Sequence, residues 1–308
     1  MILFAGIPSE GPLAFAIAAA EALDLPHIIF NQRHAAHCAL HMEWGDAGLT
    51  GAIALGGSPI GLGTITGIYA RMNEVGVLPE HRARGRTPPD PAALLRAEAV
   101  CGLFDEMLEV FPGIVVNRPS AMGSNMSKPG QAQLITAHGL LTPPTLITND
   151  PDLVSDFHAE HGRIIYKSIS AVRSIVQEWL PGKGLAAVAH LPTQFQAMVP
   201  GVNIRTHVVG DTVFASAIQS EAIDYRYGEA QGHETTMQAT ELTPEIAEIC
   251  VALTKSLGLV MSGIDLKRTP DGAWYCFEVN PSPAYSFFEE MAGQPISTAL
   301  ARCLAGVA

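Results

Sequence analysis

Three oxygen-bearing side chains near the C-terminus have the types and the spacing to hold a metal ion. Asp265, Glu278 and Asn280 lie in the segment IDLKRTPDGAWYCFEVN, where two apolar runs flank Asp271 and Gly272. An Asp-Gly pair between apolar runs favours a β-hairpin with a two-residue type I′ turn. The segment is therefore predicted to form two antiparallel strands that carry the three side chains.

The register of this hairpin follows from its turn. With Asp271 and Gly272 in the turn, Asp265 lies directly opposite Glu278, and Asn280 points to the same face because strand side chains repeat every two residues. Directly opposed Cβ atoms are about 4.5 to 5.5 Å apart, and two like charges there destabilise a sheet. A cation compensates that repulsion, and an all-oxygen ligand set suits magnesium. The hairpin alone is explained equally well by a solvated face that carries unrelated acids.

The N-terminal part of the chain has the alternating pattern of an α/β layer. Its apolar runs are short, and an alanine-rich helix follows the first of them. Residues 78–91 are rich in Pro, Arg and Gly, which predicts a surface loop before a helix over 92–110. The predicted strands of this part are 1–7, 27–31, 66–71 and 114–117.

The pattern changes from residue 127 onward. A helix over 127–138, with Gly139 as its C-cap, precedes a compact α/β unit with a strand over 145–148, a helix from 150 and a strand over 163–169. Antiparallel signals then dominate, with a helix over 244–257 between them. The predicted antiparallel strands are 195–199, 204–209, 212–218, 264–267 and 273–280.

Composition and charge indicate a large folded core and argue against one class of partner. The 308 residues are 48% hydrophobic and 16% charged, so the chain can bury a large core and divide into two or three subdomains. A net charge of −12 repels a phosphate backbone, which argues against nucleic acid as a partner.

The expected location follows from the cysteines and the apolar segments. Five cysteines without a C-x-x-C pair suit a reducing compartment. No apolar stretch reaches the roughly 20 residues that span a bilayer, and the apolar N-terminus is better explained by a strand and a helix than by a signal peptide. We expect a cytoplasmic homo-oligomer with no membrane partner.

The segment IDLKRTPDGAWYCFEVNPSP resembles the metal-binding end of ATP-grasp ligases, in particular their RimK-like and graspetide-synthetase branches. The resemblance extends roughly over residues 117–299. It implies an α/β (α+β) ATP-grasp fold with an N-terminal α/β pre-grasp domain (1–117), a small central lid subdomain (118–194) and a C-terminal antiparallel-sheet subdomain with the metal site (195–308). It also implies that Asp265, Glu278 and Asn280 hold magnesium ions that bridge the ATP phosphates.

The same resemblance implies how ATP is held and activated. A family strand pair resembles the segment NIRTHVVGDTVFASAI, in which Gly210-Asp211 is suited to a type II′ turn. By this resemblance, Arg205 is the arginine that contacts the transferring phosphate. An arginine there offers planar donors to the developing charge. Without the surrounding pattern, a surface ion pair explains Arg205 better. Lys128 and Lys167 resemble two ATP-binding lysines, and Lys167 is the harder to explain as a solvated residue.

The remaining ATP-binding residues are inferred from weaker correspondences. The segment 196–199 falls where the family reads the adenine edge with its backbone, and Asn203 stands where an Asp usually faces the ribose. Arg226 matches a family arginine on the nucleotide or phosphate side, although an exposed loop residue explains it equally well. The phosphate-covering loop lacks the glycines common in the family, but its hydroxyls and guanidinium can bind phosphate. These candidates are Ser168, Ser170, Arg173, Gln196, Ala197, Met198, Val199, Asn203 and Arg226.

The activity that this resemblance implies is an ATP-dependent, ADP-forming ligation. ATP converts a carboxylate to an acyl phosphate, which an amine on an amino acid, peptide or protein tail then attacks. A hydroxyl nucleophile would give an ester instead. The alternatives are an ATP-grasp kinase that phosphorylates a hydroxyl and a non-catalytic nucleotide-binding regulator.

Two further patterns carry weaker predictions. His34, His37 and His41 lie at helical spacing around Cys38, which allows a transition-metal site, although one exposed helix face explains them better. The glycines of GLGTITG (61–67) depart from dinucleotide-binding spacing and predict a loop followed by a strand.

Overall fold

The computed structural model describes residues 1–46, 48–82, 90–169, 176–182, 184–220 and 234–307. Its N-terminal part contains two sheets and two long helices. In chain order the elements are β1 (Ile2–Gly6), α1 (Gly11–Ala22), β2 (His27–Asn31), β3 (Ala39–Gly45), β4 (Gly48–Ala54), β5 (Ile60–Gly61), β6 (Gly67–Arg71), α2 (Pro91–Val110) and β7 (Ile114–Val116).

The first sheet is parallel throughout, with the strand order β2-β1-β6-β7. Every residue of β1 is buried. Ile2 and Phe4 belong to one apolar core, whereas Leu3 and Ala5 belong to the core on the opposite face. A parallel sheet needs this cover on both faces, which explains the continuous apolar run in its sequence. The predicted α/β layer is confirmed.

A second, three-stranded sheet has the order β3-β4-β5 and is absent from the sequence prediction. Its formation shows that the helical spacing predicted for the histidines is wrong. His34 and His37 lie in a 3₁₀ turn over Gln32–His37, and His41 lies on β3. Among the described residues, no cluster of three or more His, Cys, Asp or Glu side chains is arranged to hold a metal.

The central part of the chain forms an antiparallel sheet with the order β10-β9-β11-β8. Two of its helices, together with the C-terminal helix α7, have a capping side chain and a proline among their first two helical residues. Asp150 Oδ1 accepts from the Asp152 N–H at 2.9 Å, and Pro151 follows it. The elements are α3 (Pro119–Met122), α4 (Lys128–Ala137), β8 (Thr145–Thr148), α5 (Pro151–His161), β9 (Ile164–Lys167), β10 (Gln177–Glu178), α6 (Leu185–Val188) and β11 (Thr193–Ala197).

These helix starts have a common physical cause. A cap oxygen satisfies one of the N–H groups that the first turn leaves unpaired, and proline, which has no N–H, loses nothing there. Ser127 caps α4 and Thr243 caps α7 in the same way. The predicted starts are confirmed to within a residue or two.

The C-terminal part contains a five-stranded antiparallel sheet with the order β14-β13-β12-β15-β16. A two-residue turn at Gly210-Asp211 connects β12 and β13, as predicted, and Gly210 has a φ of +58°. The elements are β12 (Val202–Val209), β13 (Thr212–Ser220), β14 (Thr235–Thr240), α7 (Pro244–Ser256), β15 (Met261–Arg268), β16 (Trp274–Asn280), α8 (Tyr285–Ala292) and α9 (Ile296–Ala305).

The two faces of this sheet have different partners. One face packs on α4 and α7 through an apolar core that contains Ile204, Val208 and Ile264. One end of the other face packs on α1, α8 and α9, which lie between this sheet and the parallel one. Among the described residues, no helix combines the length and apolar composition of a membrane span.

The domain boundaries stay a prediction. The division proposed after residue 194 falls inside β11, which pairs with β8 and β9 of the central sheet. We therefore propose a division just after β11. Helix α9 returns to the N-terminal sheet, where the Thr66 hydroxyl donates to the Leu304 carbonyl at 3.0 Å.

Candidate active site

The hairpin that carries the three predicted metal ligands has a different turn from the predicted one. Thr269 donates its N–H to the Ala273 carbonyl, and Gly272 has a φ of +88°, so the loop has three residues rather than two. This alone shifts the register by one residue. A bulge at Phe277 then restores it, and Asp265 pairs with Glu278 as predicted. The predicted pairing is therefore right, although the predicted type I′ turn is wrong.

The bulge decides which face Glu278 occupies. On the side of the bulge nearer the turn, Leu266 pairs with Cys276, and both are buried in the core beneath the sheet. Without the extra residue, Glu278 would point toward that core, because a one-residue slip moves every side chain to the other face. With it, Glu278 and Asn280 line the same cavity as Asp265.

This cavity has a volume of about 440 Å³, and its polar part combines the three predicted ligands with Arg205. Arg205 lies opposite Asp265 on the neighbouring strand and donates from Nη1 to Asp265 Oδ1 at 2.7 Å. Among the described lining residues, two carboxylates therefore face one guanidinium, which leaves a net charge of −1. The side chain of Arg205 is 7% exposed and that of Asp265 is 33% exposed, so solvent screens this charge only in part.

Two side chains that the sequence prediction missed fix the Arg205 guanidinium. His207 Nε2 accepts from Arg205 Nε at 3.4 Å, so its proton lies on Nδ1, and the Phe288 ring packs 4.9 Å from the imidazole. Burial, and then the charge of Arg205, holds the pKa of His207 well below its usual value. The neutral imidazole can therefore accept from the guanidinium rather than repel it.

Gly263 provides the space for this arginine. A Cβ atom there would contact Arg205 Nη2 and lie 2.7 Å from Arg205 Cζ and from Pro283 Cβ. Any larger residue would force the guanidinium away from Asp265. Gly263 pairs with His207 on one side and Asn280 on the other, so it lies at the centre of the site.

We predict that Gly263→Ala reduces turnover by about tenfold or more, because a displacement of about 1 Å in a catalytic group can cost 10²-fold. Overpacking of this kind also costs about 1–3 kcal/mol, which should lower the Tm. The matched control is Gly102→Ala in α2, where an added Cβ contacts nothing within 4 Å. Wild-type turnover in Gly263→Ala would show that the position of Arg205 is unimportant.

A second cavity, of about 340 Å³, lies between the central and C-terminal sheets and contains two of the predicted ATP-binding residues, Lys128 and Gln196. Lys167 is 9% exposed and pairs with Gln194, which lines this cavity. Directly paired residues point to one face of a sheet, so Lys167 faces the cavity side. The structure therefore places Lys167 on the sheet face that is turned toward the cleft lined by Lys128.

In the segment 196–199, which is predicted to read adenine, several backbone groups already form hydrogen bonds within the protein. The N–H groups of Ala197 and Met198 donate to the carbonyls of Pro144 and Arg163. The Val199 carbonyl accepts from Lys267 Nζ at 3.1 Å. Adenine recognition through these two N–H groups would thus require their present bonds to break.

Lys267 is a site residue that the sequence prediction missed. Its Nζ lies 5.6 Å above the Phe277 ring, and burial lowers its pKa. It therefore links the 196–199 segment to β15, the strand that carries the predicted metal ligand Asp265. The signal in the sequence was its position two residues after Asp265, which places it on the same face.

The other predicted residues are less closely associated with the two cavities. Asn203 lines a separate open groove with Ser220 and Glu234. Ser168 is exposed just beyond the end of β9. Ser170, Arg173 and Arg226 lie outside the described residues.

Comparisons with known proteins agree with this geometry. Residues 164–304 match the RimK-like ATP-grasp domain. A probable alpha-L-glutamate ligase of Marinobacter nauticus is 26% identical over 208 residues, which are 62% of this chain and 66% of that protein. A Xanthomonas euvesicatoria pv. vesicatoria protein of the same name is 27% identical over 211 residues, 63% of this chain and 70% of that protein.

Solved structures are similar over almost the whole chain. The ATP-grasp ligase PsnB, complexed with a phosphomimetic variant of its minimal precursor, Mg and ADP, has a TM-score of 0.76 and 25% identity over 99% of this chain and 97% of that one. The macrocyclase MdnC of Microcystis aeruginosa MRC, bound with precursor peptide MdnA, has a TM-score of 0.78 and 22% identity over 99% of each chain. The second likeness concerns the fold alone.

The parallel N-terminal sheet, the two antiparallel sheets and the cleft between them define an ATP-grasp fold. Together with the comparisons, they identify the protein as an ATP-grasp ligase. Within that class, residues 164–304 match the RimK-like ATP-grasp domain.

Proposed function

We propose that this protein uses ATP and magnesium to join a carboxylate carried on a peptide to an amine. The observation that supports this most directly is the cavity in which Asp265, Glu278 and Asn280 share one face with Arg205. Phe277 lines the cleft that contains Lys128, and its chain neighbour Glu278 lines the first cavity. Charge-binding groups for the nucleotide and for the reacting carboxylate are thus adjacent.

The donor set fits magnesium. Asp265 has one oxygen bonded to Arg205, while the Glu278 carboxylate has no cation partner among the described residues. Asn280 Oδ1 accepts from the Ser282 N–H at 2.8 Å, which orients the amide oxygen. Magnesium, when bound, would neutralise phosphate charge at these oxygens.

Arg205 is proposed to stabilise the transferring phosphoryl group. The substrate carboxylate oxygen attacks the γ-phosphorus, the bond to the ADP oxygen breaks, and negative charge develops on the phosphoryl oxygens. The Arg205 guanidinium is already oriented by Asp265 and His207, so it needs no reorganisation at that moment. An amine nitrogen then attacks the acyl carbon, phosphate leaves with the carbon–oxygen bond pair, and the nitrogen loses a proton to solvent.

A peptide substrate is supported by the relatives rather than by the cavity alone. PsnB was solved with a variant of its minimal precursor, and the curated relatives are named as probable alpha-L-glutamate ligases. The five free cysteines are consistent with the predicted cytoplasmic location. The homo-oligomeric state stays a prediction.

Mass spectrometry of the purified chain with ATP, magnesium and pools of peptides and amino acids tests this function. We expect carboxylate-dependent release of ADP and phosphate and a product that has lost one water. A product that gains phosphate would identify a kinase instead. ATP binding without any product in the pools would favour the regulatory alternative.

Lys167→Ala is expected to weaken ATP binding by about tenfold or more, because one ammonium is lost beside the phosphates. Calorimetric titration with ATP and magnesium measures the change. Lys255→Ala is the matched control, since Lys255 is exposed on α7 and pairs with Asp211. Equal ATP affinity in Lys167→Ala and wild type would remove Lys167 from the nucleotide site.

A further inference from the structure

The cavity that contains Arg205 has a second wall of a different chemical kind. Besides the charged residues, it is lined by Thr235 and Met237 of β14 and by Phe287, Phe288 and Met291 of α8. None of these side chains carries a charge. Among the described lining residues, Arg205 is the one cation.

Helix α8 presents its two sides to different surroundings. Tyr285 is fully buried, and Phe288 is nearly so, in the core between the sheets. Phe287 is 51% exposed and Met291 is 50% exposed, although both are large and apolar. They are four residues apart and therefore lie side by side on the helix surface. Half-exposed apolar side chains that line a cavity gain burial only when something apolar covers them.

We propose that Phe287 and Met291 form a subsite for an apolar side chain next in sequence to the acidic residue whose carboxylate is activated. This rests on the proposed ligase function. The carboxylate must reach Arg205, so the peptide that carries it enters the same cavity. A volume of about 440 Å³ is within the range of pockets that enclose small ligands, and exceeds what one carboxylate group fills.

The uncharged wall also separates peptide substrates from a free amino acid. Free glutamate would bring a second carboxylate and an ammonium against Phe287 and Met291, where the described wall offers no counter-charge. Burying such charges without partners is costly. A blocked peptide with an apolar neighbour avoids that cost and covers the exposed rings and thioether.

The test uses acetylated, amidated peptides with a single glutamate whose two neighbours are both leucine or both serine. ATP, magnesium and hydroxylamine are supplied, and hydroxylamine serves as a generic amine so that hydroxamate reports the activated carboxylate. We expect the leucine peptide to have a kcat/KM about tenfold or more above that of the serine peptide, the usual scale of discrimination by an apolar pocket. The difference should lie mainly in KM.

Met291→Gln is the informative variant, because glutamine has nearly the same length as methionine and is also a good helix former. It should reduce the leucine preference several-fold while the Tm and the affinity for ADP and magnesium stay at wild-type values. Leu95→Gln, at an exposed apolar position of α2, is the matched control and should keep the full preference. Calorimetric binding of each peptide to the ADP-magnesium form gives a second readout that does not require turnover.

The outcomes distinguish this subsite from the function on which it rests. Equal kcat/KM for the two peptides, an unchanged preference in Met291→Gln, or equal use of free glutamate would overturn the subsite and leave the ligase function in place. Absence of hydroxamate with every carboxylate, together with normal ATP binding, would overturn both.

Discussion

Glu278→Gln is expected to reduce turnover by about 10²–10³-fold, the scale of losing one preorganised electrostatic group. The substitution keeps the shape of the side chain but removes the carboxylate that lies opposite Asp265. Magnesium binding by the remaining oxygen ligands should therefore weaken most. The assay is ADP release with the carboxylate substrate found in the peptide pools.

Stability gives this prediction a second readout. Removal of one of two opposed carboxylates relieves their repulsion, so the Tm without ligand should equal or exceed that of wild type. The rise in Tm on adding ATP and magnesium should shrink, because ligand stabilisation depends on affinity for the native state. Glu248→Gln, on the exposed side of α7, is the control and should change neither quantity. Full activity in Glu278→Gln would refute the metal assignment.

Arg205→Lys is expected to lower kcat by about 10²-fold while ADP affinity changes little. Lysine keeps the charge but lacks the planar set of donors, including the Nε–H that donates to His207 Nε2. The loss should therefore appear in the transition state for phosphoryl transfer rather than in nucleotide binding. Single-turnover kinetics with saturating ATP, compared with calorimetric ADP binding, separate the two effects.

The matched control for Arg205→Lys is Arg96→Lys, at an exposed position of α2. It should behave as wild type in both measurements. If Arg205→Lys loses ADP affinity in proportion to kcat, Arg205 acts in ground-state binding instead. Wild-type kcat in this variant would exclude Arg205 from the reaction.

The sequence by itself determined the elements with strong local patterns. The buried run of β1, the capped helix starts and the turn at Gly210-Asp211 were all predicted, because each depends on residues close together in the chain. Resemblance to the family then predicted the three metal ligands and the role of Arg205. Short strands and helices of weak pattern, such as β3, β14 and α8, were missed.

The pairing of Asp265 with Glu278 in the β15–β16 hairpin was predicted correctly only because two errors in the predicted hairpin cancel. The sequence predicted a two-residue turn, whereas the structure has a three-residue loop and a bulge at Phe277 that cancel each other at Asp265 and Glu278. Burial of Cys276 beneath the sheet accompanies the bulge, and that burial depends on the core formed with α4 and α7. No pattern within the hairpin itself signals it.

Only the tertiary structure decided how Arg205 is held and what surrounds it. The space at Gly263, the neutral imidazole of His207 and the ring of Phe288 come from three separate elements, β15, β12 and α8. The apolar wall of Phe287 and Met291 meets the charged residues only because α8 packs back onto the sheet. Contacts between distant segments depend on packing, which residue spacing does not encode, so the ligand types were readable from the sequence and their surroundings were not.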